Sequence, residues 1–218
     1  MDRAWGIDVS HHRPVVDWAA LARSGLNIFG AKATNGLSVD RKFQEHRDGA
    51  RDRLPVDLAL YYHFPTPRSS ALAQADKFVA EVGELRPHER LVLDVELAGE
   101  DGGAQWCPDL RFVDEFFAEL SRLVGDRRHL IYTSARIWRD QMDGADWERS
   151  SEVDLWVPRY GVAEPELPRA ANAVPLWLDW TIWQNSESFP CAGVAGVVDH
   201  DLFNGSVDDL RAYAGGTA

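Results

Sequence analysis

Short apolar runs alternate with longer amphipathic stretches along the first two thirds of the chain. The runs Ala4–Val9, Asn27–Ala33, Leu58–Phe64, Leu91–Leu97 and His129–Tyr132 are rich in branched and aromatic residues and read as strands. Between them, apolar residues recur at three- and four-residue spacing over Val16–Ser24, Arg41–Arg53, Ser70–Val82, Asp109–Val124 and Ile137–Met142, which predicts helices. The clearest of these places Leu110, Val113, Phe116, Phe117, Leu120 and Leu123 on one stripe, with Pro108 ahead of it and Gly125 as its stop. Strand, helix, strand repeated in this way predicts parallel pairing with right-handed crossovers. The pattern then changes. Three more strands are predicted at Asp154–Arg159, Trp180–Gln184 and Val197–Phe203, but Pro165, Pro168, Pro175 and Pro190 interrupt the segments between them. A short helix over Ser206–Tyr213, capped by Ser206, ends the pattern.

Eight strands with about five crossover helices predict an α/β fold: an irregular, flattened, TIM-like barrel rather than an open doubly wound sheet. The 218 residues fall short of the roughly 250 of a full eight-fold barrel, and the shortfall lies where the helices are missing. The expectation is a single catalytic domain over 1–214, with 215–218 as a tail or the start of a linker. A hydrophobic content of 45% with 27% charged residues excludes a disordered chain. The net charge of -12 argues against nucleic acid or an anionic membrane as partner. No apolar run is long enough to span a bilayer, and the N-terminus enters a strand directly, so no signal peptide is expected. Cys107 and Cys191 stand far apart and supply no disulfide framework. The 9 tryptophans are the unusual count, and they point to a sugar-binding cleft, where indoles serve as apolar platforms with a polar edge.

In a parallel barrel the chemistry sits at the C-terminal ends of the strands, and that is where the acids are. The first strand ends in Asp8. The fourth ends in Leu93-Asp94-Val95-Glu96-Leu97, whose two carboxylates share one face because a strand has a period of two. The eighth carries Val198-Asp199-His200-Asp201. Carboxylates crowded in a partly apolar cleft cannot all ionise, so one is driven to keep its proton, as glycosidic bond cleavage requires. The competing reading of Asp94 and Glu96 is a solvated or salt-bridged strand end. Tyr62, Tyr132, Tyr160, Trp183 and Gln184 gather at the same mouth as candidate substrate contacts, although alternation turns about half of such residues outward. His63 is either a structural or a catalytic histidine. Lys32, inside an apolar strand, is expected to pair with one of the acids. There is no Gly-x-Ser-x-Gly elbow, no Gly-rich phosphate loop and no His-Glu-x-x-His helix, and His11-His12 lacks partners at zinc-ligand spacing. No metal or other cofactor is expected, with a divalent cation at the Asp cluster left open.

Taken in order, Trp5-Gly6-Ile7-Asp8-Val9-Ser10, Asp17-Trp18, Lys32-Ala33-Thr34, Tyr62-His63-Phe64 and Leu93-Asp94-Val95-Glu96 resemble glycoside hydrolase family 25, the Chalaropsis-type lysozymes. The resemblance continues through Ile131-Tyr132-Thr133, Leu155-Trp156-Val157, Ile182-Trp183-Gln184, Val198-Asp199 and Phe203-Asn204-Gly205. It implies N-acetylmuramidase activity on the β-1,4 bond between N-acetylmuramic acid and N-acetylglucosamine. Glu96 falls on the family's general acid/base and Asp94 on the aspartate that assists the substrate's 2-acetamido group, with net retention. Asp8 and Asp199 fall on the other cleft acids. Tyr62, Tyr132, Tyr160, Trp183, Gln184 and Lys32 would bind the glycan. The implied partner is the peptidoglycan glycan strand, met by a monomer at the cell wall, outside the cell or after release at host lysis as for an endolysin. Asn35, His11-His12-Arg13, Trp177–Trp180 and Glu187–Cys191 depart from the family pattern in loops expected to border the cleft. Two other readings stay open: a carbohydrate-binding barrel without catalysis, and hydrolysis of another amino-sugar polymer such as chitin.

Overall fold

The computed structural model describes residues 3–97, 105–144, 146–161, 174 and 176–215. Strands β1 (Arg3–Val9), β2 (Ile28–Asn35), β4 (Leu58–Phe64), β5 (Glu89–Asp94), β6 (His129–Tyr132), β7 (Val153–Pro158), β8 (Ile182–Pro190) and β9 (Val197–Ser206) close into one eight-stranded barrel, because β1 pairs with both β2 and β9. The remaining strand, β3 (Ser38–Val39), folds back on the end of β2 and is too short to leave a periodic signature in the sequence. Helices α1 (Trp18–Ala22), α2 (Phe43–Arg53), α3 (Ala71–Val82), α4 (Leu110–Val124) and α5 (Ala135–Gln141) are the five crossovers, and α6 (Val207–Gly215) follows the last strand. Asp17, Ser70, Asp109 and Ser134 cap α1, α3, α4 and α5 through side-chain oxygens that accept a backbone N–H of the first turn. Gly215, the first residue of the expected tail, belongs to α6, and 216–218 lie outside the described residues.

Parallel pairing holds from β1 through β2 and β4 to β8, but β9 runs antiparallel to both of its neighbours. The cause is the length of the connection. Only residues 191–196 separate β8 from β9, and a parallel return would need a crossover of a dozen or more. As a result Asp199 reaches the mouth from the beginning of its strand, opposite Asp8, and not from its C-terminal end.

The period of two sorts the apolar residues into two layers. One alternate set packs outward against the helices, with Ile7, Phe29, Leu93, Ile131 and Val157 of the strands against Phe78, Val113 and Phe116 of α3 and α4. The other set fills the barrel with Ile28, Leu58, Leu60, Val92, Leu130, Trp156, Ile182 and Phe203. Leu210 and Ala214 of α6 join this interior and plug the end away from the mouth, where the Arg90 guanidinium donates to the Ala214 carbonyl at 3.1 Å.

That closed end is also held by a buried ion pair. Glu89, at the start of β5, has no exposed surface and accepts from Arg51 Nε and Nη2 (2.7 Å each), from Tyr61 Oη (2.8 Å) and from the Arg86 N–H (2.8 Å). Burial alone would raise its carboxyl, but these donors outweigh it and hold the group below its usual range. Glu89→Ala strands the Arg51 guanidinium, and the expected loss is about 3–5 kcal/mol of unfolding free energy in urea titration. Because the folded carboxyl is the stronger acid, its stabilisation is present at neutral pH and disappears as pH falls through the carboxylate range. The gap between wild type and Glu89→Ala should therefore narrow in acid.

Candidate active site

The open end of the barrel holds a cleft of about 230 Å³. Asp8, Asp94, Glu96 and Asp199 form its acidic wall, and Tyr62, Tyr132, Tyr160, Gln184 and Lys32 line it as the sequence predicts. β5 stops at Asp94, so Glu96 stands just past the strand end and is exposed at the mouth, while Asp94 is buried within it. Asp8 is buried on β1, and Gly30 on β2 makes room for it: a Cβ there would come within 2.6 Å of the Asp8 Cβ.

Each acid is harder to ionise than a free carboxyl. Burial and then the charge of Asp199 raise Asp8 to about 8, against hydrogen bonds from Gln184 and Tyr62 that favour its anion. Asp94 is pushed well up by burial and then by Glu96. Glu96 is raised by the desolvating cleft wall and by Asp199, with Lys32 pulling the other way. Asp199 rises to about 6 through burial and Glu187, against the pull of Arg13. The crowding expected from the sequence is present, and the cleft holds protons at neutral pH that free carboxyls would have lost.

Gln184 organises the tyrosines. Its Nε2 donates to Asp8 Oδ2 at 2.7 Å, and its Oε1 accepts from Tyr132 Oη at 2.8 Å and Tyr160 Oη at 2.5 Å. The expected pairing of Lys32 takes a looser form. Its ammonium lies over the Phe64 ring, 4.3 Å from the centroid, and acts through space on Asp94 and Glu96 without an ion pair among the described residues. His63 is structural. It is fully buried between Thr34 Oγ1 (2.7 Å) and Gln74 Oε1 (3.0 Å), stacked on Phe116, and burial pushes it down to about 3.

Trp183 does not line the cleft. Adjacent residues of a strand face opposite sides, so with Gln184 turned inward Trp183 must turn outward. Its ring is buried against Trp180, and Nε1 donates to the Arg159 carbonyl at 2.7 Å. The tryptophan excess is therefore mainly a packing feature: Trp138, Trp147 and Trp177 form one buried cluster beneath α5. Trp177 and Trp180, expected in a loop bordering the cleft, belong to the outer core. Among the described residues the indole that lines the cleft is Trp156, whose Nε1 donates to Asp201 Oδ1 at 2.9 Å beneath the floor. Trp156, Phe64, Ser10 and Asp201 are the residues that sequence reasoning passed over. Parity could have found Trp156, since Tyr132 and Trp156 are paired in register on β6 and β7. Cys107 and Cys191 are free thiols, and Cys107 lies close enough to the acids for burial and then Glu96 and Asp94 to raise it to about 12.

Among the described residues no group of three or more His, Cys, Asp or Glu is arranged to hold a metal ion, and no helix is long and apolar enough to cross a membrane.

The chain is similar to known proteins in sequence and in fold. A family model for glycosyl hydrolases family 25 matches residues 7–194. Lysozyme M1 of Streptomyces globisporus is 31% identical over 98% of this chain and 72% of its own length. The N,O-diacetylmuramidase of a Chalaropsis species is 26% identical over 97% of this chain and 99% of its own. Among solved structures, the bacterial lysozyme from Streptomyces coelicolor superimposes with a TM-score of 0.84 at 29% identity, covering 100% of this chain and 99% of that one. With an acid-lined cleft at the open end of an eight-stranded barrel and a family match over most of its length, the chain belongs to glycosyl hydrolases family 25.

Proposed function

We propose that this glycoside hydrolase cleaves the β-1,4 bond between N-acetylmuramic acid and N-acetylglucosamine in peptidoglycan, with Glu96 as general acid and then base and Asp94 assisting the 2-acetamido group. The observation that carries the reading is the pair of cleft carboxyls at i and i+2. One is exposed at the mouth and one is sunk beside it, where burial and then the charge of Glu96 raise the cost of ionising Asp94. The family and its relatives named as lysozymes and muramidases support the polymer; the residue roles rest on the cleft itself.

The pair is suited to a shared proton. An acetamido N–H donated to Asp94 favours its anion and leaves the proton on Glu96, the group that can reach a glycosidic oxygen at the open mouth. Protonation of that oxygen breaks the C1–O bond while the acetamido carbonyl oxygen closes on C1 from the opposite face. The resulting ring carries a positive charge that Asp94 stabilises, and no enzyme ester forms. Water then attacks C1, giving its proton to Glu96 and reopening the acetamido group, so two inversions yield net retention. Asp8, Gln184 and the hydroxyls of Tyr132 and Tyr160 form a hydrogen-bonded wall for the sugar, with Tyr62 and Trp156 beneath it.

Glu96→Gln keeps the shape and removes the acidic proton. Release of reducing ends from purified peptidoglycan should fall by about 10²–10⁴-fold with the fold unchanged, and a wild-type rate would remove Glu96 from the role of acid. Mass spectrometry of the products should show muramic acid at the new reducing ends. Faster cleavage of chitin oligomers than of peptidoglycan would instead assign the site to another amino-sugar polymer.

Protonated Glu96 is the active form, so its raised pKa places the alkaline limb of kcat/KM above the ordinary carboxylate range. Lys32 opposes that rise, so Lys32→Met should move the limb further toward alkaline pH, and a shift toward acid would contradict the electrostatic role of the lysine.

A further inference from the structure

Asp201 sits one strand position below the cleft acids and lies outside the machinery described so far. It is on β9, two residues from Asp199 and on the same inward face, in register with Gly6 on β1 and Gln184 on β8. It has no exposed surface. Its Oδ1 accepts from the Trp156 indole N–H at 2.9 Å. Its Oδ2 is also buried, and no donor among the described residues reaches it. The polar group beside it is the carboxyl of Asp8, close enough for a hydrogen bond between the two side chains. Among the described residues no cation stands against it; the charged neighbours that act on it most are Asp8 and Asp199, both acids.

A carboxylate in that position would face another acid with one oxygen unpaired and no water-exposed surface, which is a costly arrangement. A carboxylic acid in the same position is satisfied throughout. Its carbonyl oxygen accepts from Trp156 and its O–H donates to Asp8, which already receives the Gln184 amide at 2.7 Å.

We propose that Asp201 is a positioning residue that keeps its proton, accepting from Trp156 and donating to Asp8, and so fixes both the floor and the acid wall of the cleft. The link runs from the Trp156 ring through Asp201 to Asp8, on to Gln184, and from there to the hydroxyls of Tyr132 and Tyr160. Every member except Asp201 lines the cleft. Fixing one buried proton thus orients donors and acceptors on four strands, β1, β7, β8 and β6, and Tyr160 just beyond β7. Burial followed by Asp8 and Asp199 raises Asp201 well above an ordinary aspartate, in the same direction.

The inference rests on the muramidase reading only for its rate measurement. In Asp201→Asn the amide oxygen replaces the acceptor for Trp156, and the amide N–H replaces the donor to Asp8. In Asp201→Leu a side chain of similar size removes both. Asp201→Asn should keep kcat on purified peptidoglycan near the wild-type value, whereas Asp201→Leu should lower it by roughly 10²-fold with a smaller change in KM, as expected when reacting groups lose their alignment. A charged Asp201 predicts the reverse for Asn, so equal losses in the two variants would overturn the proposal, as would a wild-type kcat in Asp201→Leu.

The indole N–H resonance of Trp156, assigned with Trp156→Phe, needs no substrate. It should show no step in wild type across about pH 3–5, the range in which a free aspartate ionises and below the titration of Asp199, and a step there would overturn the proposal. If wild type releases no sugar from peptidoglycan, the proposed activity fails and the resonance still decides the state of Asp201. If Asp201→Leu does not fold, Asp201→Asn and the resonance decide it.

Discussion

Asp8, Asp94 and Asp201 are withdrawn almost completely from water, and a carboxylate so placed ionises only where donors or a cation replace its hydration. At the mouth of this barrel the replacements are few: one amide from Gln184, one indole N–H from Trp156, a tyrosine hydroxyl and a lysine acting from a distance. The remainder is made up with protons. That scarcity of compensation explains the raised carboxyls, the hydrogen-bonded tyrosines and the glycine that lets β2 approach Asp8.

The barrel imposes this crowding through its period of two. Because alternate residues point inward, β1, β5 and β9 each deliver an acid into the same small volume, and their neighbours Ile7, Leu93 and Val198 are spent on the outer core. The antiparallel turn of β9 contributes as well. A strand arriving from above presents Asp199 at the rim and Asp201 one layer down, so two acids of one strand occupy different depths and meet different partners. A parallel strand in that place would reverse the order.

What the sequence made legible follows the same physics. Periodicity over eight strands and five helices is strong because each element repeats its pattern several times, and the Asp94–Glu96 pair stands out against fully apolar flanks. The antiparallel β9 was hidden because its direction depends on the length of one connection and leaves no mark on alternation. Trp183 was misplaced for a different reason: identity suggested a sugar platform, while parity with Gln184 already excluded it. Lys32 carried a correct charge effect but the wrong contact, since a long flexible side chain can lie on Phe64 and still act on the acids through space. Asp201 shows in the sequence only as one more acid on its strand, because a buried acid without a cation has no signature in composition.

The two ends of the barrel show why that last kind of site matters. Glu89 and Asp201 are equally buried, both with no exposed surface. Glu89 is matched by Arg51, Tyr61 and a backbone N–H, so its charge is fixed and its contribution is to stability. Asp201 has one donor and an acidic neighbour, so only a proton completes its bonding. An ion pair at the mouth would hold the carboxyls in their ionised form, against the proton exchange that the proposed acid catalysis requires. The cleft is held instead by neutral hydrogen bonds that order its groups without draining their protons. Among the described residues no arginine or lysine forms an ion pair with Asp94, Glu96 or Asp201, and on the proposed reading that leaves the site able to donate a proton.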